Sequence, residues 1–120
     1  MKGRIGDKQR MLHILDAINL DAINEIENYI SGLGIADFHS NSMARFASIK
    51  QLEIIGEAAR YVSEPTKAVY PDIEWEEIIG LRNILVHEYF GIDSNLIWQI
   101  IVTDLPVFKV SVQKILSTLN

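Results

Sequence analysis

Residues 79–92, IGLRNILVHEYFGI, place three polar groups at fixed spacing in an apolar helical pattern. Those groups are Arg82, His87 and Tyr89. Gly91 stands near the end of the stretch, and glycine commonly follows the last residue of a helix. We therefore expect a helix that carries the chemistry of the protein.

The charge around this stretch is one-sided, since residues 71–105 contain seven acidic residues and a single Lys or Arg, Arg82. Each polar group has a structural explanation taken alone. Arg82 would form a salt bridge, His87 would be favoured by the helix C-terminal dipole, and Tyr89 would lie at the core edge. Taken together at this spacing, the three favour a functional site.

A chain of 120 residues predicts one domain, residues 1–120. With 48% hydrophobic and 22% charged residues, it suits a helical protein that keeps apolar surface for a partner, so we expect an oligomer. The absence of cysteine excludes disulfides, thiolate zinc sites and a cysteine nucleophile, and is compatible with a reducing cytoplasm. The polar N-terminus and the lack of a run near ~20 apolar residues predict a soluble, cytoplasmic protein without membrane contact.

The net charge of −5 argues against broad, non-specific nucleic-acid binding, which depends on neutralising phosphates. A local basic groove is still compatible with it. The cations that would line such a groove with Arg82 form an N-terminal cluster, Lys2, Arg4, Lys8 and Arg10, and a middle set, Arg45, Lys50, Arg60 and Lys67.

The first half of the chain predicts two long helices from apolar residues at steps of three and four. The first runs from an N-cap at Asp7 to about Ile30, with Asp16 and other acids on a solvated face, and residues 31–34 stop it. A linker, residues 35–39, precedes a second helix that residues 40–42 cap and that ends near Ser63.

The second half predicts a short helical turn between Pro65 and Tyr70 and then two more helices. One begins at Asp72 or Glu74 with Trp75 anchoring it, and the other begins at residues 93–94 and is kinked or interrupted by Pro106. The predicted fold is all-α: a four-helix up-and-down bundle with an extra short helix.

Other residues support weaker expectations. Gly56, inside a helix, indicates either close approach of a neighbouring helix or room for a ligand, and Gly80 repeats the signal of close approach. Bundle di-metal sites use Glu-x-x-His pairs, which the sequence lacks, so neither a metal nor a cofactor is expected. Glu57 is a candidate partner that supports Arg82 or His87, while His13 and His39 are interpreted as structural or surface residues.

Helical geometry limits what the polar groups can do together. Arg82 and Tyr89 lie on nearly the same face about 10 Å apart, whereas His87 lies about 140° round the helix from Arg82. One regular helix therefore cannot form a tight Arg–His pair. Arg82 and His87 can act together if the helix end is irregular, or if two copies face each other across a two-fold axis and form a shared cleft.

These residue types suit phosphodiester chemistry. Histidine carries a proton near neutral pH, and arginine stabilises the charge on a pentacoordinate phosphorus. With RNA, the 2′-hydroxyl is an internal nucleophile that needs no metal. The expected products are a 2′,3′-cyclic phosphate and a 5′-hydroxyl.

The pattern Arg82-x4-His87-x-Tyr89 resembles the R-x4-H-x-Y signature of the HEPN superfamily, in particular the HepT-like toxins. QLEIIGEAA (51–59), PDIEW (71–75) and DLP (104–106) are similar to flanking blocks of that family. The resemblance implies a HEPN-like bundle acting as a homodimeric, metal-independent endoribonuclease, with Arg82 and His87 catalytic and Asn83 supporting them. It also implies a minimal nucleotidyltransferase antitoxin that transfers AMP from ATP to Tyr89, placing bulk and negative charge at the site and switching it off.

Two alternatives stay open, because HEPN relatives include domains that only bind nucleotides or partners. The chain would then be a non-catalytic nucleotide- or partner-binding module that associates with a nucleotidyltransferase. In the other alternative it is an interaction bundle whose motif only holds a dimer together.

Overall fold

The computed structural model describes residues 2–87 and 93–119, and it describes side chains for residues 15–81 and 93–117. These ranges are almost entirely helical and contain no strand, which confirms the predicted all-α class. The elements are α1 (Lys2–Ile30), α2 (Ile35–Ser40), α3 (Ser42–Arg60), α4 (Glu64–Val69), α5 (Trp75–His87), α6 (Ser94–Gln99), a π-helical segment (Ile100–Asp104) and α7 (Leu105–Leu119).

The bundle consists of α1, α3, α5 and one long helical run formed by α6, the π-helical segment and α7. Helix α1 packs against α3 and α7, and α3 also packs against α5. The Lys109 ammonium bridges α7 to α1 by donating to the Glu27 carboxylate at 2.5 Å. The centre is apolar, and its fully buried side chains include Ile23, Ile26, Leu52, Ile55, Val112 and Ile115.

Helix α1 differs from its prediction at two points. It begins at Lys2, so Asp7 is not its N-cap, and good helix formers on either side of Gly3 and Gly6 carry it through both glycines. Asp16, expected on the solvated face, is only 1% exposed. Because α1 packs against both α3 and α7, a wider arc of its surface is buried than a single apolar stripe indicates.

The linker predicted at residues 35–39 is wrong, because these residues form most of α2. The Asp37 carboxylate accepts the N–H of Gly34 at 3.0 Å at the helix start. Phe38 is fully buried and its ring lies 5.2 Å from that of Trp98. A six-residue helix has little stability of its own, so this tertiary burial is what maintains it.

The predicted caps of α3 and α6 and the aromatic anchor of α5 are confirmed. The Asn41 side-chain oxygen accepts the N–H of Ala44 at 3.0 Å, and the Asp93 carboxylate accepts that of Asn95 at 2.9 Å. Trp75 is buried and its indole N–H donates to the Tyr70 carbonyl at 3.1 Å. These contacts fix the starts of α3, α6 and α5.

Helix α3 ends at Arg60, three residues before the predicted end at Ser63. Ser63 instead caps α4, where its hydroxyl accepts the N–H of Thr66 at 3.4 Å. Pro65 lies in the first turn of α4, where a missing N–H leaves no helical hydrogen bond unmade.

Pro106 does not end the last helix, because the π-helical segment Ile100–Asp104 lies directly before α7. Proline lacks an N–H and its ring clashes with the carbonyl four residues earlier. A π-helical turn changes the register of the hydrogen bonds at this point, so the chain stays helical through Leu119.

One helical run, Ser94–Ser117, has the length and the mean hydropathy, 1.2, of a membrane-spanning helix, although we expected no such run. Composition alone produces this match, and core helices of soluble bundles share it. The run buries Ile97, Ile101, Leu105, Phe108, Val112 and Ile115 in the bundle. Only 28% of the apolar window is buried, so core packing accounts for part of its apolar character. The expectation of no membrane contact stays a prediction.

Candidate active site

Helix α5 positions the predicted catalytic residues. The Glu74 carbonyl accepts the N–H of Ile78 at 3.1 Å, so Glu74 occupies the N-cap, and Glu76 and Glu77 in the first turn suit the helix dipole. Buried Trp75 and the packing against α3 fix the helix in the bundle. Arg82, Asn83 and His87 follow on its C-terminal half.

The backbone of α5 is α-helical from Trp75 to His87. Arg82 and His87 are therefore separated by about 7.5 Å along the axis and by about 140° around it. The backbone between these two residues is regular, and the helix end after His87 lies outside the described residues. Both arrangements that would unite the pair, an irregular helix end and two facing copies, stay predictions.

The side chains of Arg82, Asn83 and His87 lie outside the described residues, and so do Tyr89 and the helix end expected at Gly91. Glu57, their predicted supporting partner, is half-buried on α3 and accepts a hydrogen bond from the Arg60 guanidinium at 3.4 Å. Its contact with Arg82 or His87 stays a prediction.

A polar cluster that the sequence analysis did not identify joins α2 to the start of α6. The His39 ring contacts the Ser94 hydroxyl through Nδ1 and the Asn95 side-chain oxygen through Nε2, the latter at 2.8 Å. An amide oxygen only accepts, so Nε2 carries the hydrogen, and in the neutral ring Nδ1 accepts from Ser94. The Arg45 guanidinium donates to the His39 carbonyl and fixes the other side of the cluster.

This cluster bears on the site because Ser94 follows residues 88–92, which include Tyr89. His39 thus fixes Ser94, the first residue of α6, against α2. His39 was expected to be a structural or surface residue and is structural, with a partner 55 residues away in sequence. No local pattern could reveal that partner, since residues 93–94 carry only the signal of a helix cap.

A groove of about 360 Å³ separates α5 from the π-helical segment and α7. Apolar residues such as Ile55, Leu81 and Phe108 line it, together with the carboxylates of Asp72, Glu74, Glu77 and Asp104. The protonated Glu77 carboxyl donates a hydrogen bond to the Glu74 carboxylate, and this bond raises the pKa of Glu77 above its ordinary value. The negative charge of Glu74, partial desolvation and the negative charge of Asp104 raise it further, in that order.

Two expectations from the sequence concern Gly80 and metal binding, and the structure contradicts the first and does not test the second. A Cβ added at Gly80 would meet no atom of the described residues within 4 Å, so the predicted close approach at Gly80 is wrong. The Gly80 region of α5 instead lies beside open space. Within the described ranges, no three His, Cys, Asp or Glu side chains are grouped so that they could hold a metal ion.

Comparison with known proteins gives a consistent result. Residues 19–115 match the family model described as "Ribonuclease HepT-like". A Methanocaldococcus jannaschii protein named "Putative RNase MJ1380" is 42% identical over 94 residues, which cover 78% of this chain and 86% of the relative. A Thermococcus cleftensis protein named "Probable ribonuclease HepT" is 35% identical over 95 residues, covering 79% and 86%.

No solved structure matches the chain. The family match includes α5 with Arg82, Asn83 and His87, as well as the α2–α6 cluster and the groove. The chain belongs to the HepT-like ribonuclease family, within the HEPN superfamily.

Proposed function

We propose that the protein is a metal-independent endoribonuclease in which Arg82 and His87 are catalytic and Asn83 supports them. The observation that carries this proposal is the placement of the three motif residues on one regular helix, α5, inside the range that matches the family. The names of the relatives, which describe them as ribonucleases, support RNA as the substrate.

In the proposed reaction the ribose 2′-oxygen attacks the adjacent phosphorus and the 5′-oxygen leaves. His87 transfers the proton that this exchange requires, and Arg82 stabilises the charge on the phosphorane oxygens. The products are a 2′,3′-cyclic phosphate and a 5′-hydroxyl. The nucleophile belongs to the substrate, so the reaction needs no metal ion.

The active form in this proposal is a homodimer. Arg82 and His87 diverge by about 140° on α5, so a cleft shared between two copies would bring an arginine and a histidine to one phosphate. Exposed apolar side chains support an oligomer, since Met43 is 82% exposed and Val107 is 68% exposed.

We further propose that the protein is the toxin of a pair and that a minimal nucleotidyltransferase is its antitoxin. The Tyr89 oxygen would attack the α-phosphorus of ATP, forming a phosphodiester and releasing pyrophosphate. The added AMP brings negative charge to the position that an RNA phosphate needs, so cleavage stops. Both partners would act in the cytoplasm, and the lack of cysteine is compatible with that compartment.

RNA cleavage in excess chelator tests the enzyme. Arg82→Ala and His87→Ala should each slow cleavage about 100-fold or more, because each removes a group that acts in the transition state. Lys114→Ala is the matched control, since Lys114 is an exposed cation on α7 that lies outside the motif and outside the predicted basic groove. Full cleavage by either motif variant would refute the catalytic assignment. A folded protein that binds nucleotides tightly and cleaves no RNA would favour the binding module.

Intact mass tests the regulation. The chain is produced with and without the nucleotidyltransferase encoded beside it, and Tyr89→Phe is treated in the same way. We expect a gain of one or more AMP units that needs the partner, ATP and magnesium and that is absent in Tyr89→Phe. A gain that persists in Tyr89→Phe would place the modification elsewhere.

A further inference from the structure

Among the side chains that the structure describes, the groove between α5 and α7 is the open side of the bundle. Packing closes three sides, α1 with α3, α3 with α5 and α1 with α7. On the fourth side, core residues Ile55 and Phe108 line a groove of about 360 Å³. Covering these apolar side chains with a complementary apolar surface removes them from water and is therefore favourable.

The charges at the groove restrict what that surface can be. Asp72, Glu74, Glu77 and Asp104 are exposed and line the groove, and none of the lining residues in the described ranges is Lys, Arg or His. Glu74 and Asp104 lie close enough to Glu77 to raise the pKa of its carboxyl group. Four carboxylates repel a phosphate backbone, so the groove does not suit RNA. An apolar helix with a cationic border does suit it.

The N-terminal part of α1 has that pattern. Its first ten residues contain four Lys or Arg residues and one acid, Asp7, giving a net charge of +3. Ile5 and Leu12 are seven residues apart and share one face of a regular helix. Arg4 and Lys8 are placed beside one edge of that face and Lys2 beside the other. This part of α1 precedes residues 19–115, which match the family.

The dimensions of the two features also agree. Lys2 and Arg10 are about 12 Å apart along a helix, and Glu74 and Leu81 on the groove wall are about 10 Å apart. Residues 2–14 belong to the same continuous helix as the buried part of α1. They cannot turn back into the groove of their own chain unless α1 breaks, so an occupant with this sequence must come from another copy.

We propose that the acidic groove between α5 and α7 binds the basic N-terminal helix, residues 2–12, of a second copy of this chain. Ile5 and Leu12 cover the apolar floor, and the flanking cations pair with the carboxylates of both walls. A two-fold axis makes the exchange reciprocal, with two such contacts in each dimer. The contact needs no RNA chemistry and is independent of the proposed catalytic function.

Cross-linking of full-length chains tests this directly, because the protein has no cysteine of its own. A Gln9→Cys chain, labelled with nitrogen-15, is mixed with an unlabelled Thr103→Cys chain, and a short bis-maleimide is added. Thr103 lines the groove, whereas Gln113 is exposed on α7 and does not line it. With Thr103→Cys we expect cross-linked peptide pairs in which one peptide carries nitrogen-15 and the other does not. With Gln113→Cys the yield of such pairs should be about tenfold lower.

Charge exchange identifies the occupant. Glu74→Lys with Glu77→Lys in the groove chain should reduce the cross-link about tenfold, and Arg4→Glu with Lys8→Glu in the other chain should restore it. Asp21→Lys with Glu25→Lys is the matched control, since it makes the same charge change at exposed sites away from the groove.

Three results would overturn the proposal. The first is a cross-link at Thr103→Cys no stronger than at Gln113→Cys, and the second is a groove reversal that changes nothing. The third is a reversal that leaves the cross-link intact but weakens binding of the nucleotidyltransferase, which would assign the groove to that partner. RNA cleavage by the same variants is measured separately, so failure of this contact and failure of the catalytic proposal remain distinct.

Discussion

Asp16 provides the sharpest prediction about stability, because a carboxyl group on α1 is almost completely buried. It is 1% exposed, and its Oδ2 atom has no hydrogen-bond partner in the described part of the chain. Burial raises its pKa from 3.8 to about 7. The charged form is therefore unfavourable in the folded protein, and a neutral side chain of the same shape should be better tolerated.

The sign and size follow from proton linkage. The unfolded chain ionises Asp16 above pH 3.8, whereas the folded chain keeps the proton until about pH 7. The free energy of unfolding should thus fall by about 1.4 kcal/mol per pH unit between these values and then level off. Asp16→Asn removes this loss, so it should gain about 4 kcal/mol at pH 8 and only about 2 kcal/mol at pH 5.

Urea unfolding at pH 5 and pH 8, at one fixed protein concentration, measures both gains, since association would otherwise change the apparent stability. Asp21→Asn is the matched control, because Asp21 is exposed on the same helix. An equal gain at the two pH values would show that burial does not hold the proton on Asp16. A loss of stability at pH 8 would show that the ionised form has a favourable partner in the folded state.

Three further predictions concern the bundle and the polar cluster. Gly80→Ala should raise the free energy of unfolding by about 0.5–1 kcal/mol in urea, because the new methyl group meets no atom of the described residues; a loss would indicate a close neighbour. Asn41→Ala should lower it by about 1 kcal/mol, since the cap of α3 is lost, whereas Asn41→Asp should retain most of the cap. His39→Ala should cost about 1–3 kcal/mol and slow RNA cleavage, and adding Ser94→Ala should cost little more; additive losses would show that the two side chains are not coupled.

Much of the fold could be predicted because its signals are local. Apolar spacing of three and four residues gave the long helices, and the side chains of Asn41 and Asp93 bond to N–H groups two or three residues ahead. Trp75 was identified as an anchor on similar grounds. Predicted helix boundaries were wrong where local signals competed. Asp7 was predicted to cap α1, but the helix begins at Lys2.

Part of the candidate site could be predicted as well. The spacing of Arg82, His87 and Tyr89 identified the family, and the family model matches most of the chain. The side-chain arrangement of that motif, the role of Glu57 and the modification of Tyr89 stay predictions, because no described contact bears on them.

The sequence by itself determined the helical class, the main caps and the motif on α5, since each depends on residues within about two helical turns of one another. The tertiary structure alone decided the helical state of residues 35–40, the burial of Asp16, the contact of His39 with Ser94 and the open groove between α5 and α7. These features depend on which helices meet. Contacts between residues far apart in sequence form only when the whole core is assembled, and no periodicity along the chain encodes them.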